Sequence, residues 1–451
     1  MVDQLKKSNL LRSSLICPDW QRTFPKIVNG KGSVLIDEDG RRYIDGSGGA
    51  SAATVLGHGN VEVADALHAQ AILTPLLPTH YFDSNVLQEY LSELVAFAPP
   101  NIGYGWLASS GSDAIESAMK LAIQFQRSRG APSRFKFIGR NHSYHGGTIA
   151  SLDVGGIESR RVLYKSIFFG HEHGAAAHCT RCEFGLTRDV CNLECAEDIQ
   201  HIIGRLDNSV AAVIVEPVVG AALGAVPAPR NYLRRLREIT RGAGVLLILD
   251  EVMTGFGRTG ANFAAMHDDI DADMIVCGKG MGGGYFPLSG ILVSSEIGRH
   301  LEFNNEVFQG GHTHACNPLG AAVGKKVLQI ILRDQLVSRS ALLGKRALSI
   351  LRAELHSDLV SDIRGKGLLF GLEFNPKIQL HRAAGYPAFS YCVASRALEL
   401  GLISYPGLSA LNGTGGHIKF APPLNIDDVT FDQMLSIIVE AVRTFERRKS
   451  K

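Results

Sequence analysis

The sequence predicts an α/β protein in which a large unit is built on a mostly parallel central sheet and a smaller α/β unit is joined to it. Three observations predict this class. The runs VLLIL at 245–249 and MIVC at 274–277 are short and wholly apolar, as strands buried on both faces of a parallel sheet are. Each leads into a charge, Asp250 directly after the first and Lys279 one glycine after the second. In an open α/β sheet ligands bind outside the carboxyl ends of the strands, so an acid and an amine placed there can face one small molecule. Gly280, Gly282, Gly283 and Gly284 leave little bulk around Lys279 and room for a flat ligand. The third observation is a strand at 104–108 that breaks at Ser109-Ser110-Gly111-Ser112 and continues as a helix. Ala114, Ala118, Leu121, Ala122 and Phe125 give that helix one apolar face.

The totals narrow the function classes. A chain of 451 residues has enough length for one large domain and a smaller one. With 45% hydrophobic residues, 20% charged residues and a net charge of +2, nothing favours nucleic acid or a membrane surface over a small-molecule substrate. No apolar run reaches the ~18 residues of a transmembrane helix. The opening MVDQLKKSNLLRSSLICPDW has no sustained apolar core or small-residue cleavage site, so a cytoplasmic protein is expected. Eight cysteines are too sparse for a disulfide scaffold, and that compartment keeps them reduced.

In chain order, the first 30 or so residues read as an arm with a short helix. SVLIDEDGRRYIDG at 33–46 reads as a hairpin turning at Asp39-Gly40. The glycine- and alanine-rich stretch 46–59 either lines a substrate pocket or crosses flexibly between domains. Free N–H groups at the helix start after Ser109 make it an anion site, with Ser110 and Ser112 hydroxyls as further donors; a plain N-cap is the other reading. A strand at 134–138 precedes Asn141-His142-Ser143-Tyr144-His145-Gly146-Gly147-Thr148, where Tyr144 either stacks on a flat ring or packs in a turn. The insert 169–196 holds His171, His173 and His178 before Cys179, Cys182, Cys191 and Cys195. Its C-x2-C-x8-C-x3-C pattern fits either a tetrahedral zinc site or a surface loop of reduced thiols. A strand at 211–215 ends at Glu216-Pro217, and 230–241 is a basic helix. After Lys279 come a strand at 289–294 and the loop Gln309-Gly310-Gly311-His312-Thr313-His314, whose histidine pair is a weak metal signal. One long helical region follows at about 318–355. From about 361 the composition becomes that of a small α/β domain, with IRGKGLLFGLEF as a strand pair, a helix at 389–400 and a strand at 418–420. The helix at 427–448 carries acids first and bases last, as its dipole favours.

Asp250-Glu251-Val252, the GFGRTG turn and Lys279, 29 residues beyond Asp250 (279 − 250), resemble the cofactor site of the class III aminotransferases, a fold type I family. The likeness runs from the hairpin at 33–45 to Ile418-Lys419-Phe420-Ala421-Pro422-Pro423. It implies a large cofactor-binding domain at 61–320 and a small domain built from both chain ends, 1–60 and 321–451. It implies pyridoxal 5'-phosphate as cofactor and no metal. Lys279 is then the amine that condenses with the cofactor's aldehyde and afterwards moves a proton, which requires that it lose its own. Asp250 is the carboxylate that keeps the ring nitrogen protonated; a buried structural ion pair is the alternative for these two residues in isolation. Ser110, Gly111 and Ser112 fall to the phosphate, Tyr144 and Val252 to the two ring faces, and His145 and Glu216 to the cofactor's surroundings. Thr313 reaches the phosphate of the neighbouring subunit in a homodimer.

The implied activity moves an amino group from a primary amine or ω-amino acid to an oxo acid such as pyruvate or 2-oxoglutarate. A phospho-amine lyase or an aminomutase of the same fold is the alternative, followed by a non-catalytic paralogue. Gly147, Ala221 and Lys419 stand where the ornithine-type branch has an arginine, a glutamate and an arginine, so the chain looks more similar to the ω-amine branch. That branch often carries a mobile arginine where this chain has Leu411-Asn412-Gly413-Thr414. Lys419 and Arg364 are the candidates for binding the substrate carboxylate.

Overall fold

The computed structural model describes residue 16 and residues 24–356, 358–378, 386–408 and 415–449. Most of the expected N-terminal arm, and all of Leu411-Asn412-Gly413-Thr414, lie outside the described residues. The end of the arm is a strand, β1 (Ile27–Lys31), which pairs antiparallel with β2 (Val34–Asp37). β2 and β3 (Arg42–Asp45) are the expected hairpin, and the backbone closes with Gly40 in the left-handed region at φ 77.

Seven strands form the central sheet: β4 (Ile102–Ala108), β5 (Lys136–Arg140), β6 (Glu172–Gly174), β7 (Val210–Val215), β10 (Leu246–Asp250), β11 (Met274–Cys277) and β12 (Ser289–Ser294). The short pair β8 (Val218–Val219) and β9 (Val226–Pro227) lies outside it. The spatial order is β4-β12-β11-β10-β7-β5-β6, and β12 runs antiparallel to both its neighbours. Every residue of β7, β10 and β11 is buried, because helices cover both sheet faces, and the sequence accordingly shows unbroken apolar runs instead of alternation. β5 starts two residues later than the periodicity suggests. Arg134 is outside the ladder, its guanidinium donating to the carbonyls of Val210 and Ala243 at 2.9 and 2.8 Å.

The long helical region at 318–355 is two helices, Pro318–Arg333 and Leu336–Glu354. Gln335, left-handed at φ 52, breaks it, although no glycine or proline marks the spot. The first helix packs on Val61–Leu73 and Asn85–Phe97; the second packs on β13 (Val360–Lys366). With β14 (Leu369–Phe374), β16 (Tyr405–Gly407) and β17 (His417–Phe420), β13 makes an antiparallel sheet of order β13-β14-β17-β16. The two-residue β15 (Leu402–Ile403) pairs with β3, so late chain completes the N-terminal sheet. No helix among the described residues is long and apolar enough to cross a membrane.

The stretch 46–59 is a packed wall and not an open crossing. Ser51 and Ala52 are both buried. Ala421 N–H donates to Gly46 O at 2.8 Å, and a Cβ on Gly48 would run into Ala421 O. Early and late chain thus meet beside the carboxyl ends of β10 and β11.

Candidate active site

β10 and β11 are adjacent and parallel, with Asp250 opposite Val276 in register. Asp250 therefore ends its strand three residues in sequence short of the turn that Lys279 begins on the next (279 − 276). A cavity of about 170 Å³ opens there, and both residues line it.

Lys279 takes a left-handed backbone at φ 46, a conformation few non-glycine residues adopt and one associated with constrained sites. Its amine makes no hydrogen bond among the described residues. Burial lowers its pKa below the usual 10.5, and the nearby charges of Asp250 and Glu216 oppose that shift. The geometry thus favours an amine that can lose its proton.

Asp250 is held from two sides. Its Oδ1 accepts the N–H of Val252 at 3.1 Å, and its Oδ2 lies 2.8 Å from His145 Nδ1. With a carboxylate accepting there, Nδ1 carries the proton and the buried Nε2 is left without a partner. The His145 side chain is wholly buried, so its ring is fixed by packing as well as by this bond.

Glu216 follows β7 directly and accepts two backbone amides, Tyr144 N–H at 3.0 Å on Oε1 and Gly220 N–H at 3.1 Å on Oε2. Burial raises its pKa, against the pull of His145. Its two oxygens brace the loop that carries Tyr144 and His145. The Tyr144 ring lines the cavity, with the guanidinium of Arg160 at 4.7 Å from its centroid. Val252 lines it too and packs against Gly111, where an added Cβ would lie 3.0 Å from Val252 Cγ1.

The remaining wall is the start of the helix Gly111–Ser128. Ser110 is its N-cap, accepting Asp113 N–H at 3.2 Å, while the N–H groups of Gly111 and Ser112 have no partner among the described residues. Ser112 Oγ accepts Gly147 N–H at 2.9 Å, which leaves its own hydrogen to donate. Gly146, at φ 146, fits because it has no Cβ; one would lie 2.5 Å from both Ser112 Oγ and Ser151 Oγ. Unpaired amides at a helix N-terminus, beside a free hydroxyl, form an anion cradle.

The cavity therefore gathers Gly111, Ser112, Tyr144, His145, Glu216, Asp250, Val252 and Lys279. It does not gather Ser110, which is exposed and acts as a cap, or Thr313. Thr313 is exposed in a separate cleft with His80 and Trp106, although its neighbour His312 reaches back to Asp113 at 2.6 Å. Sequence reasoning did not place Gly146, Met253 or Arg160 at the site. The glycine pair after His145 was the available sign for Gly146; Arg160 has none.

Arg364 is spoken for. It pairs with Glu373 and with Asp362 at 3.0 Å, and donates to the carbonyls of Leu223 and of Gly224 at 3.2 Å, so it has no fork left for a substrate carboxylate. Glu373 also accepts from Arg181 and lies 3.5 Å from His178 Nε2, both in the insert; burial pulls its carboxyl up, but these hydrogen bonds and the Arg364 charge hold it far below the usual range. The insert is thereby clamped onto β14. Its four cysteines are free thiols, with Cys191 donating to Glu194 at 3.0 Å and burial pushing Cys195 up to about 12. Among the described residues no three His, Cys, Asp or Glu side chains converge for a metal, His312 and His314 included.

A profile of the family described as Aminotransferase class-III matches residues 17–442. YodT, an uncharacterized aminotransferase of Bacillus subtilis, is 32% identical over 451 residues, covering 98% of this chain and all of that protein. The chain belongs to the class III aminotransferases. An omega-aminotransferase of Caulobacter vibrioides is 30% identical, with 89% of each chain covered. The structure of the omega transaminase from Pseudomonas jessenii in complex with PMP is similar with a TM-score of 0.86, at 25% identity and over 97% of both chains. The fold is that of the fold type I transaminases. Class III aminotransferases depend on pyridoxal phosphate, and the residues present fit that group. The amides of Gly111 and Ser112 have no partner among the described residues, the Lys279 amine lines the cavity and makes no hydrogen bond among them, and the buried His145 Nε2 is likewise without a partner.

Proposed function

We propose that this aminotransferase moves an amino group from a primary amine or ω-amino acid to pyruvate or 2-oxoglutarate, using pyridoxal 5'-phosphate held in the cavity at the ends of β10 and β11. The observation that carries the reading is the placing of Asp250 at the end of β10 and of Lys279 just past the end of the adjacent parallel β11, in one cavity with an open helix N-terminus. When bound, the cofactor's ring takes up the electron pair left by the substrate's broken C–H bond. The protein's residues do the rest. Lys279 would hold the cofactor through its aldehyde, and its amine, when free, would move the proton released from the substrate carbon. Asp250, steadied by His145 and Val252 N–H, holds the proton on the ring nitrogen. Gly111 and Ser112 donate to the phosphate, Ser110 keeps the helix start in place, and Tyr144 and Val252 confine the ring faces. Glu216 fixes the Tyr144 backbone.

Thr313 acts in trans in this proposal, on the phosphate held by the other subunit of a homodimer. Its exposure, and its place in a cleft separate from the cavity of its own chain, support that placing. Residues 61–320 form the cofactor-binding domain and the two chain ends, 1–60 and 321–451, the small one. Free thiols throughout the described residues suit a reducing cytoplasm.

The test is a half-reaction. A panel of amines is added to the cofactor-loaded protein without any oxo acid, and cofactor absorbance is followed in stopped flow. Bleaching that pyruvate or 2-oxoglutarate reverses is the expected result, and Lys279→Ala should abolish it while still binding the cofactor. Steady ammonia release without bleaching would replace transamination by elimination.

A further inference from the structure

A second cavity, of about 760 Å³, lies outside the cofactor site. Three parts of the chain wall it: the insert between residues 178 and 193, the loop from β9 to the helix Tyr232–Gly242, and β13 with Arg352 from the helix before it. It shares no lining residue with the cavity at the ends of β10 and β11. The two are neighbours all the same, because one hairpin, β8 with β9, contributes Ala221 to the first and Val226 and Pro227 to the second. Small-molecule sites have volumes of roughly 300–1,000 Å³, so this one admits a ligand well beyond the size of an inorganic ion.

The lining is unbalanced in charge. Four arginines reach it, Arg188, Arg230, Arg352 and Arg364, against one carboxylate, Asp362. Asp362 is already taken by Arg364 at 3.0 Å, and Arg364 spends its other donors on Glu373 and on the carbonyls of Leu223 and Gly224. Glu194, next to the lining residue Leu193, accepts Cys191 Sγ at 3.0 Å and Asn192 N–H at 2.9 Å. Arg188 and Arg230 make no ion pair or hydrogen bond among the described residues, and Arg352 donates there to Ile363 O alone, at 3.3 and 2.9 Å. One exposed arginine is merely solvated. Three that arrive from three separate elements at one cavity without a free acid repel each other, and a bound anion relieves that repulsion. Between them the lining is apolar, from Leu193, Val226, Pro227, Pro229 and Ile363. Leu193 and Asn231 line it in left-handed backbone at φ 66 and 65, strain of the kind that gathers at ligand clamps.

We propose that this cavity binds a diphosphate-bearing metabolite of nucleotide size, with its phosphates on Arg188, Arg230 and Arg352 and its flat or apolar body on the wall at Pro227 and Pro229. Planar guanidinium forks suit phosphate oxygens, and a diphosphate carries enough negative charge to answer three of them where a single carboxylate does not. The site is separate from the reacting residues, so the protein holds cofactor and ligand at the same time.

The test uses the cofactor-loaded protein. Wild type and the double variant Arg188→Ser with Arg230→Ser are titrated calorimetrically with ADP, pyrophosphate and adenosine. Both substitutions fall at exposed positions outside the cofactor cavity, so the variant's Tm and its amine half-reaction should equal those of the wild type. ADP should bind the wild type saturably, one per chain, and the variant about tenfold or more weakly. Pyrophosphate should lose as much, and adenosine, which has no phosphate, should be indifferent to the substitutions. Thiols report the place of binding, because Cys179 and Cys191 line the cavity, Cys182 does not, and all three are free. At saturating ADP, alkylation of Cys179 and Cys191 by iodoacetamide, read by peptide mass spectrometry, should slow while that of Cys182 does not. If the double variant fails to fold, Arg230→Ser alone carries the titration beside the protection experiment on the wild type. No saturable binding of ADP or pyrophosphate by the wild type overturns the proposal. So does equal affinity in the variant, or binding that leaves Cys179 and Cys191 unprotected, since either puts the anion elsewhere on the protein. Citrate that binds with the same arginine dependence where ADP does not bind would overturn the assignment to a phosphate.

Discussion

His145→Phe tests whether Asp250 must be held or need only be present. The substitution keeps a flat ring in a fully buried position and removes the 2.8 Å hydrogen bond to Asp250 Oδ2. The restraint left on the carboxylate is the Val252 N–H, 3.1 Å from Oδ1. A hydrogen bond to a charged group contributes about 1.5–3 kcal/mol, and each ~1.4 kcal/mol is tenfold in rate, so kcat/KM should drop roughly ten- to 150-fold. Single-turnover absorbance with saturating amine reads the loss, and dialysis followed by cofactor fluorescence shows whether affinity falls with it. His145→Asn, whose amide N–H can stand near the Nδ1 position, should recover part of the activity. Circular dichroism and Tm separate a folding defect from the predicted one. Wild-type kcat/KM in a loaded His145→Phe protein would refute the brace.

Three further outcomes follow from the same geometry. Gly146→Ala places a Cβ 2.5 Å from Ser112 Oγ in a backbone that disfavours side chains, so cofactor affinity measured by fluorescence titration should fall about tenfold or more; wild-type affinity would remove Ser112 from the cradle. Capture of the cofactor's aldehyde by freshly loaded apoprotein needs neutral Lys279, so its rate should rise with pH and level off below pH 10.5, because burial depresses that amine. Asp250 opposes the depression, so Asp250→Asn should move the limb to lower pH, and a limb at 10.5 in both proteins contradicts the buried amine. Burial, helped by Lys279, lowers Lys419 from 10.5 to about 7. A folded value below the unfolded one means stability that is whole above pH 10.5 and declines as pH falls towards 7. Lys419→Met should therefore gain on the wild type by a few kcal/mol more at pH 6 than at pH 10 in urea unfolding without substrate, on the order of 1.4 kcal/mol per unit; equal differences at both pH values would sink this.

The parts legible in the sequence are those where one local pattern decides the outcome. β7, β10 and β11 lie under helices on both faces, so nothing but apolar side chains fits, and the runs stand out. Asp250 and Lys279 were legible because a charge at the end of such a run has one place to go. Gly111 and Ser112 follow from the small-residue break before an amphipathic helix. What the sequence hid depends on distant partners. Gln335 ends a helix where no glycine or proline stands, since the following helix must turn to meet β13. β1 is a strand because β2 offers an edge to it. Arg364 looked like a free cation until β14 and the insert brought Glu373 to it. Ser110 shows the limit of motif reading, because the small-residue break does not say which of its hydroxyls caps the helix, as Ser110 does, and which lines the cavity, as Ser112 does.

The meeting of early and late chain at Gly46 and Ala421 sets an order in synthesis. A ribosome completes the stretch holding Asp250 and Lys279 140 residues before it reaches Lys419 (419 − 279). At about 5–20 residues per second that interval is roughly 7 to 28 s. During it the nascent protein already has the reacting amine and its acid but lacks the strand that closes the wall against Ser51. The reacting pair is thus made well before the wall that packs beside it.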